Sequence, residues 1–221
     1  MRALHDGRVS VQCRGWLPGR PLSLGLSWRR GGAPTTVNGR SIITEMNLSN
    51  TIEELKCTAK DLLLPDLRRV ISNLRPERGE IEPYIHFHDE RYARNLVYKT
   101  EDFECLVLCW KPGQRSPIHD HANSICAVYT LKGLLSADNY KKTANGHIRA
   151  DYSEDFKPGD VLTIQTTEIH QVSNLQDSSE LISLHFYLGP LENSFLYSVT
   201  DSACVPYPRT YTRVFTLADG I

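Results

Sequence analysis

The 221-residue chain is predicted to be mainly β, an all-β sandwich or barrel behind a short helical N-terminal region, and two observations carry that expectation. Beyond Glu82, short runs rich in β-branched and aromatic residues are separated by Pro-Gly, Asn-Gly and Asp-Ser turns, which is the punctuation of successive strands. Between Met46 and Leu74, apolar residues recur instead at helical spacing, with capping residues before them and a proline between two runs.

Taken in order, residues 1–45 are rich in Gly, Pro, Arg and Ser and show no sustained period of 2 or 3.6. They hold seven Arg and no Lys against only Asp6 and Glu45, a formal +5, whereas the remainder carries 18 basic and 24 acidic residues, a formal −6. Such a segment has no face to bury, so it reads as a disordered or non-native extension, with one domain over 46–221. An Arg-rich, acid-poor start is also the composition of a transit peptide, but Pro18, Pro21, Gly31 and Gly32 interrupt an amphipathic helix.

A first helix is expected from a cap at Ser49 or Asn50, with Glu53 completing a capping box and Ile52, Leu55, Ala59, Leu62 and Leu63 on one face. Pro65 ends it and opens a second helix to Leu74, with Leu67, Val70, Ile71 and Leu74 on one side. Eight strands are expected thereafter: Ala93 to Lys99, Glu104 to Trp110, Ser124 to Leu131, Gly133 to Tyr140, His147 to Tyr152, Asp160 to Thr166, His170 to Asn174 and Leu181 to Tyr187.

Composition narrows the function. The 40% hydrophobic, 23% charged chain is ordinary for a soluble globular protein, and a net charge of −1 gives no general electrostatic case for nucleic acid. The longest apolar runs fall far short of the roughly 20 residues a membrane helix needs, so no membrane association is expected. The six cysteines (Cys13, Cys57, Cys105, Cys109, Cys126, Cys204) need not be disulfides in a chain long enough to bury its own core, and the start lacks a secretory signal. The reading is a cytoplasmic monomer with a small ligand.

The histidines supply the chemistry. In Gly113-Gln-Arg-Ser-Pro-Ile-His119-Asp-His121 the i, i+2 spacing, placed on a strand, aims both imidazoles at one face. A third, His170, follows 49 residues after His121. If the two segments meet, three His with open positions make the catalytic kind of metal site. His86 and His88 share the spacing but precede the barrel and are not read as metal ligands, while His147, after an Asn-Gly turn, reads as solvent-facing.

Together the segments resemble the two motifs of the cupin superfamily, G-x5-H-x-H-x3,4-E-x6-G and G-x5-P-x-G-x2-H-x3-N. Gly113, His119, His121 and Gly133 fit the first; Gly159, His170 and Asn174 fit the second, from which Gln165 and Thr167 depart. Cys126 stands where the first motif has its Glu ligand. Without a carboxylate, three neutral imidazoles leave a divalent ion its full charge, which favours an anionic ligand such as a thiolate.

The resemblance narrows to the cysteine dioxygenase family over roughly Met46 to Ser202, through Tyr92-Ala-Arg94-Asn-Leu-Val, Cys109-Trp110, His119-Asp-His121, Cys126, His170-Gln-Val-Ser-Asn174 and Ser183-Leu-His185-Phe-Tyr187. It implies a cupin-type barrel or jelly roll that uses Fe(II) and dioxygen to oxidise L-cysteine to its sulfinic acid in cysteine catabolism. It further implies that His119, His121 and His170 hold the iron and that Arg94, with Tyr92, binds the substrate carboxylate. The resemblance also implies that Ser183, His185 and Tyr187 form a row at the site and that Cys126 and Tyr187 can join in a thioether crosslink. On their own residue types Arg94 would be a surface cation, Tyr187 a core aromatic and Cys126 a buried filler. Mammalian-type members follow the Tyr with Ser-Pro-Pro, where this chain has Leu188-Gly189-Pro190, so an altered wall near the substrate amine is expected. The neighbouring 3-mercaptopropionate dioxygenases tend to carry Gln and Gly at the Arg94 and Cys126 positions, which favours cysteine here. The rival readings are oxidation of another small thiol and a non-catalytic, metal-binding cupin.

Overall fold

The computed structural model describes residues 36–37, 40–41 and 45–215. Two short strands, β1 (Thr36–Val37) and β2 (Arg40–Ser41), pair antiparallel in a unit spanning Met1–Ile43, and everything below belongs to a second unit, Thr44–Ile221. The extension expected over residues 1–45 otherwise lies outside the described residues.

Helices α1 (Leu48–Thr58), α2 (Leu64–Ser72) and α3 (Arg78–Ile81) lead into the β region. The cap of α1 is Asn47, whose side chain accepts from the Asn50 N–H at 2.9 Å, and not Ser49 or Asn50 as expected. The reason lies 31 residues away in α3. The Glu80 carboxylate accepts from the Leu48 and Ser49 N–H groups and from the Ser49 hydroxyl, at 3.1, 3.0 and 2.8 Å. It takes first-turn donors that a purely local cap would have had to satisfy. Glu53, the expected capping-box partner, pairs instead with Lys56. Pro65 sits in the first turn of α2, where its missing N–H costs nothing.

The strands are β3 (Ala93–Lys99), β4 (Phe103–Trp110), β5 (Ile125–Lys132), β6 (Leu135–Lys142), β7 (Ile148–Phe156), β8 (Val161–Ile164), β9 (Ile169–Ser173), β10 (Leu181–Leu188), β11 (Asn193–Tyr197), β12 (Cys204–Pro208) and β13 (Arg213–Val214). One sheet runs β13-β3-β4-β10-β5-β8 and a second runs β7-β6-β9, with β11 and β12 forming a hairpin. The eight expected strands are all present. The last three were not anticipated: β12 contains Pro206 and ends on Pro208, residues that weaken a strand signal, and β13 has only two residues.

The six-stranded sheet is covered on both faces, so β4 and β10 are buried along their whole length, Glu104, Ser183 and His185 included. Alternation persists in what each face touches. Phe103, Cys105, Val107 and Cys109 of β4, with Ile182, Leu184, Phe186 and Leu188 of β10, pack with Leu55, Leu67, Val70 and Ile71 of the helices. Leu106, Leu108, Trp110, Leu181 and Tyr187 point the other way, into a core shared with Leu135 and Ala137 of β6 and Val172 of β9. Two sheets closed around one interior make the expected cupin-type barrel. Cys105 and Cys109 are helix-facing filler, and desolvation pushes the Cys109 thiol up to about 12. Among the described residues, no helix is long and apolar enough to cross a membrane.

Candidate metal centre

Three segments build the metal site. His170 sits on β9, and residue 119 pairs with it antiparallel: each backbone N–H donates to the other's carbonyl at 2.9 Å. Directly opposed residues of such a pair present their side chains on one face, and the two rings lie 4.4 Å apart. The expectation that His119 and His121 share a regular strand is corrected. His119 forms isolated bridges to His170 and Leu196, and His121 lies in the loop that follows, where Ala122 takes φ +49° and Ser124 N–H closes a turn onto the His121 carbonyl. The i, i+2 pair still converges because the turn returns the chain toward β5, placing the His121 ring 4.7 Å from that of His170.

One ligand atom from each of His119, His121 and His170 lies within 4.8 Å of the others, and all three residues are buried. The hydrogen bonds orient them. Nδ1 of His119 is 2.8 Å from the Pro117 carbonyl and Nδ1 of His170 is 3.4 Å from the Glu168 carbonyl. Each Nδ1–H donates to its carbonyl, which leaves Nε2 with a lone pair. Burial holds His119 and His121 well below the ordinary imidazole value and His170 at about 4, so all three stay neutral and able to ligate. His121 Nδ1 is buried without a hydrogen-bond partner. Neutral, convergent and partly unsatisfied imidazoles fit a metal ion.

Asp120, between the two ligands, is buried and accepts from the Phe195 N–H at 3.0 Å, the Tyr197 hydroxyl at 2.7 Å and the Ala122 N–H at 3.3 Å. It fastens the ligand loop to β11, a part that the His-Asp-His motif displays but does not explain.

Strand register supplies the remaining side chains. On β10, Ser183, His185 and Tyr187 alternate into the barrel. Trp110 Nε1–H donates to Ser183 Oγ at 3.1 Å, Ser183 Oγ is 3.0 Å from His185 Nε2, and His185 Nδ1 is 3.2 Å from the Tyr187 hydroxyl. Tyr187 stands opposite Cys126 on β5 and Glu104 on β4, and its ring is 5.3 Å from that of His121. Burial, reinforced by Glu104, pushes the Cys126 thiol well up, and burial also raises the Tyr187 phenol, so both remain protonated.

Arg94 enters from β3, 6% exposed, with its guanidinium carbon 5.9 Å from the Tyr187 ring centroid. Tyr92 stacks on Trp110 at 4.2 Å. Every sequence-predicted site residue is therefore in this one interior, while His86 and His88 are outside the cluster. Glu104, Asp120 and Arg209 were missed. Glu104 lies in a strand that reads as pure core, and Arg209 follows two prolines with no pattern around it.

The family model described as cysteine dioxygenase type I matches residues 44–199. The chain belongs to that family. Its relatives include cysteine dioxygenase type 1 of Homo sapiens, 30% identical over 131 residues, which are 58% of this chain and 66% of the human protein. The chain thus spans about two thirds of that relative's length. The Danio rerio cysteine dioxygenase type 1 is 25% identical over 166 residues, 68% of this chain and 80% of that protein. A solved Klebsiella pneumoniae protein with a double-stranded β-helix domain is 17% identical, with a TM-score of 0.44 over 53% of this chain and 88% of that one. The matched residues include His119, His121 and His170, the cluster that could hold a metal ion.

Proposed function

We propose that the protein is a thiol dioxygenase that uses Fe(II) to convert L-cysteine and dioxygen to cysteine sulfinic acid in the cytoplasm. The observation that carries this reading is the convergence of three buried, neutral histidines with a buried arginine and a protonated tyrosine in one interior. In the overall change a thiol RSH takes up both atoms of one O2 to become RSO2H, so no external reductant is consumed.

Iron at the triad would supply the common site at which thiol and dioxygen meet. The rest is work of the chain. His119, His121 and His170 would hold the ion without neutralising it, which favours the substrate as a thiolate. Arg94 would take the carboxylate, its planar fork suited to a bidentate grip, with Tyr92 beside it. Trp110 donates to Ser183, and the Ser183 hydroxyl hydrogen would point to His185 Nε2. That places the imidazole proton on Nδ1, directed at the Tyr187 oxygen, and leaves the phenol hydrogen free for the reacting oxygen atoms. The stacked Tyr92 and Trp110 rings would help to keep bulk water out.

Cys126 and Tyr187, direct cross-strand neighbours, would form the thioether: the Cys126 sulfur would bond a ring carbon beside the phenol oxygen, the S–H and C–H bonds would break, and the two hydrogens with their electrons would pass to dioxygen, giving hydrogen peroxide.

The test is oxygen uptake by iron-loaded protein given L-cysteine, with the product identified by mass. Stoichiometric sulfinic acid is expected, together with a protein species two hydrogen masses lighter whose Cys126 and Tyr187 peptides stay joined under reduction. No oxygen uptake with any small thiol would overturn the dioxygenase reading. Uptake without joined peptides would overturn the crosslink alone.

A further inference from the structure

Arg94 is not the pocket's only guanidinium, and it is not an uncompensated one. Its Nη2 lies 3.7 Å from Oε1 of Glu104, a fully buried carboxylate that also accepts from the Leu191 N–H at 3.1 Å and from the Tyr211 hydroxyl. Arg94 and Glu104 together are close to neutral.

Arg209, just beyond β12, has no such partner. Its Nη1 donates to the Tyr92 hydroxyl at 3.3 Å and its guanidinium lies 4.8 Å from the Tyr207 ring centroid. Nε and Nη2, the two nitrogens of its side-on edge, are buried without a hydrogen-bond partner, and no ion pair to Arg209 is formed among the described residues. Unmet donors on a cation are costly to bury, and that edge is the one that grips a carboxylate bidentately. Nε and Nη2 of Arg94 are in the same condition, and both arginines line one cavity of about 30 Å³. That is more than the ~10–15 Å³ a single water requires.

Arg94, Arg209 and the exposed Arg91 line this cavity and Glu104 pairs with Arg94, which leaves a net positive charge that an anionic ligand would balance.

We propose that Arg209 is a second anion-binding residue of this pocket: the carboxylate of a mercapto acid lies between Arg94 and Arg209, and Arg209 sets the preference for acid-bearing thiols. The proposal deepens the thiol dioxygenase reading and rests on it. Arg209 offers the free charge, and Arg94 the second wall, its own charge largely answered by Glu104.

The experiment compares anaerobic binding of 3-mercaptopropionate, which has a carboxylate and no amine, with that of cysteamine, which has an amine and no carboxylate. Both are titrated calorimetrically into iron-loaded wild type, Arg209→Gln and Arg209→Lys. Arg209→Gln should weaken 3-mercaptopropionate on the order of 30-fold, the low end for a part-exposed charge pair, and leave cysteamine within a few fold. Arg209→Lys keeps the charge but not the fork, so it should fall between, and it carries the test should Arg209→Gln fail to fold. Equal 3-mercaptopropionate affinity in all three proteins would overturn the role of Arg209, as would an equal loss for both ligands. Wild type that binds neither ligand and takes up no oxygen with any thiol would overturn the parent reading instead.

Discussion

Strand β10 is buried on both faces, yet the two faces do opposite things. Toward the helices it presents Ile182, Leu184, Phe186 and Leu188, side chains with nothing to offer but volume. Toward the barrel it presents Ser183, His185 and Tyr187, joined to Trp110 by hydrogen bonds of 3.0–3.2 Å. Burial of the first set is favourable in itself. Burial of the second is tolerable only because each polar group finds a partner. The apolar face anchors the strand rigidly, and that rigidity positions the polar face against the metal centre.

Substitutions on the two sides of the sheet should therefore fail in different ways. The largest effect is expected on the inner side: His170→Ala removes one of three ligands and should cost more than about 100-fold in iron affinity, beyond what loss of a supporting residue costs. Plasma mass spectrometry of the purified variant should find it nearly free of iron. Full loading would remove His170 from the metal site.

On the outer side, Phe186→Ala should lower folding stability by about 3–5 kcal/mol, since a fully buried ring leaves a cavity between sheet and helices. Urea denaturation measures it, and the molecules that remain folded should still bind iron at wild-type stoichiometry. Loss of iron in proportion to stability would break the division between the faces.

The smallest effect should come from Ser183→Ala. It deprives the Trp110 N–H and His185 Nε2 of a partner at a cost of about 1–3 kcal/mol in stability, with turnover reduced while iron content stays full. An unchanged rate would separate the Ser183 bond from the orientation of Tyr187.

Much of this was legible beforehand because it depends on short-range periodicity. The eight expected strands follow from runs and turns, and Leu67, Val70 and Ile71 of α2 are buried as their spacing requires. The metal ligands were legible because two motifs carry them, although the loop geometry of His121 was not: a strand and a tight turn can both bring i and i+2 together. The cap of α1 was misplaced because Glu80, remote in sequence, supplies the deciding acceptor.

By itself the sequence determined the alternation of β10, the fully apolar character of β4's helix-facing side, and the presence of three imidazoles, an arginine, a thiol and a phenol in recognisable order. Those are matters of residue type and of a two-residue period, which the backbone imposes locally. Only the tertiary structure decided the partners. Sheet register sets Tyr187 between Glu104 and Cys126, and the chain after β12 brings Arg209 to Tyr92 across 117 residues. Which charge is compensated, and which is left to meet a ligand, depends on such distant meetings, because electrostatic energy in a dry interior is set by separation in space and not by position along the chain.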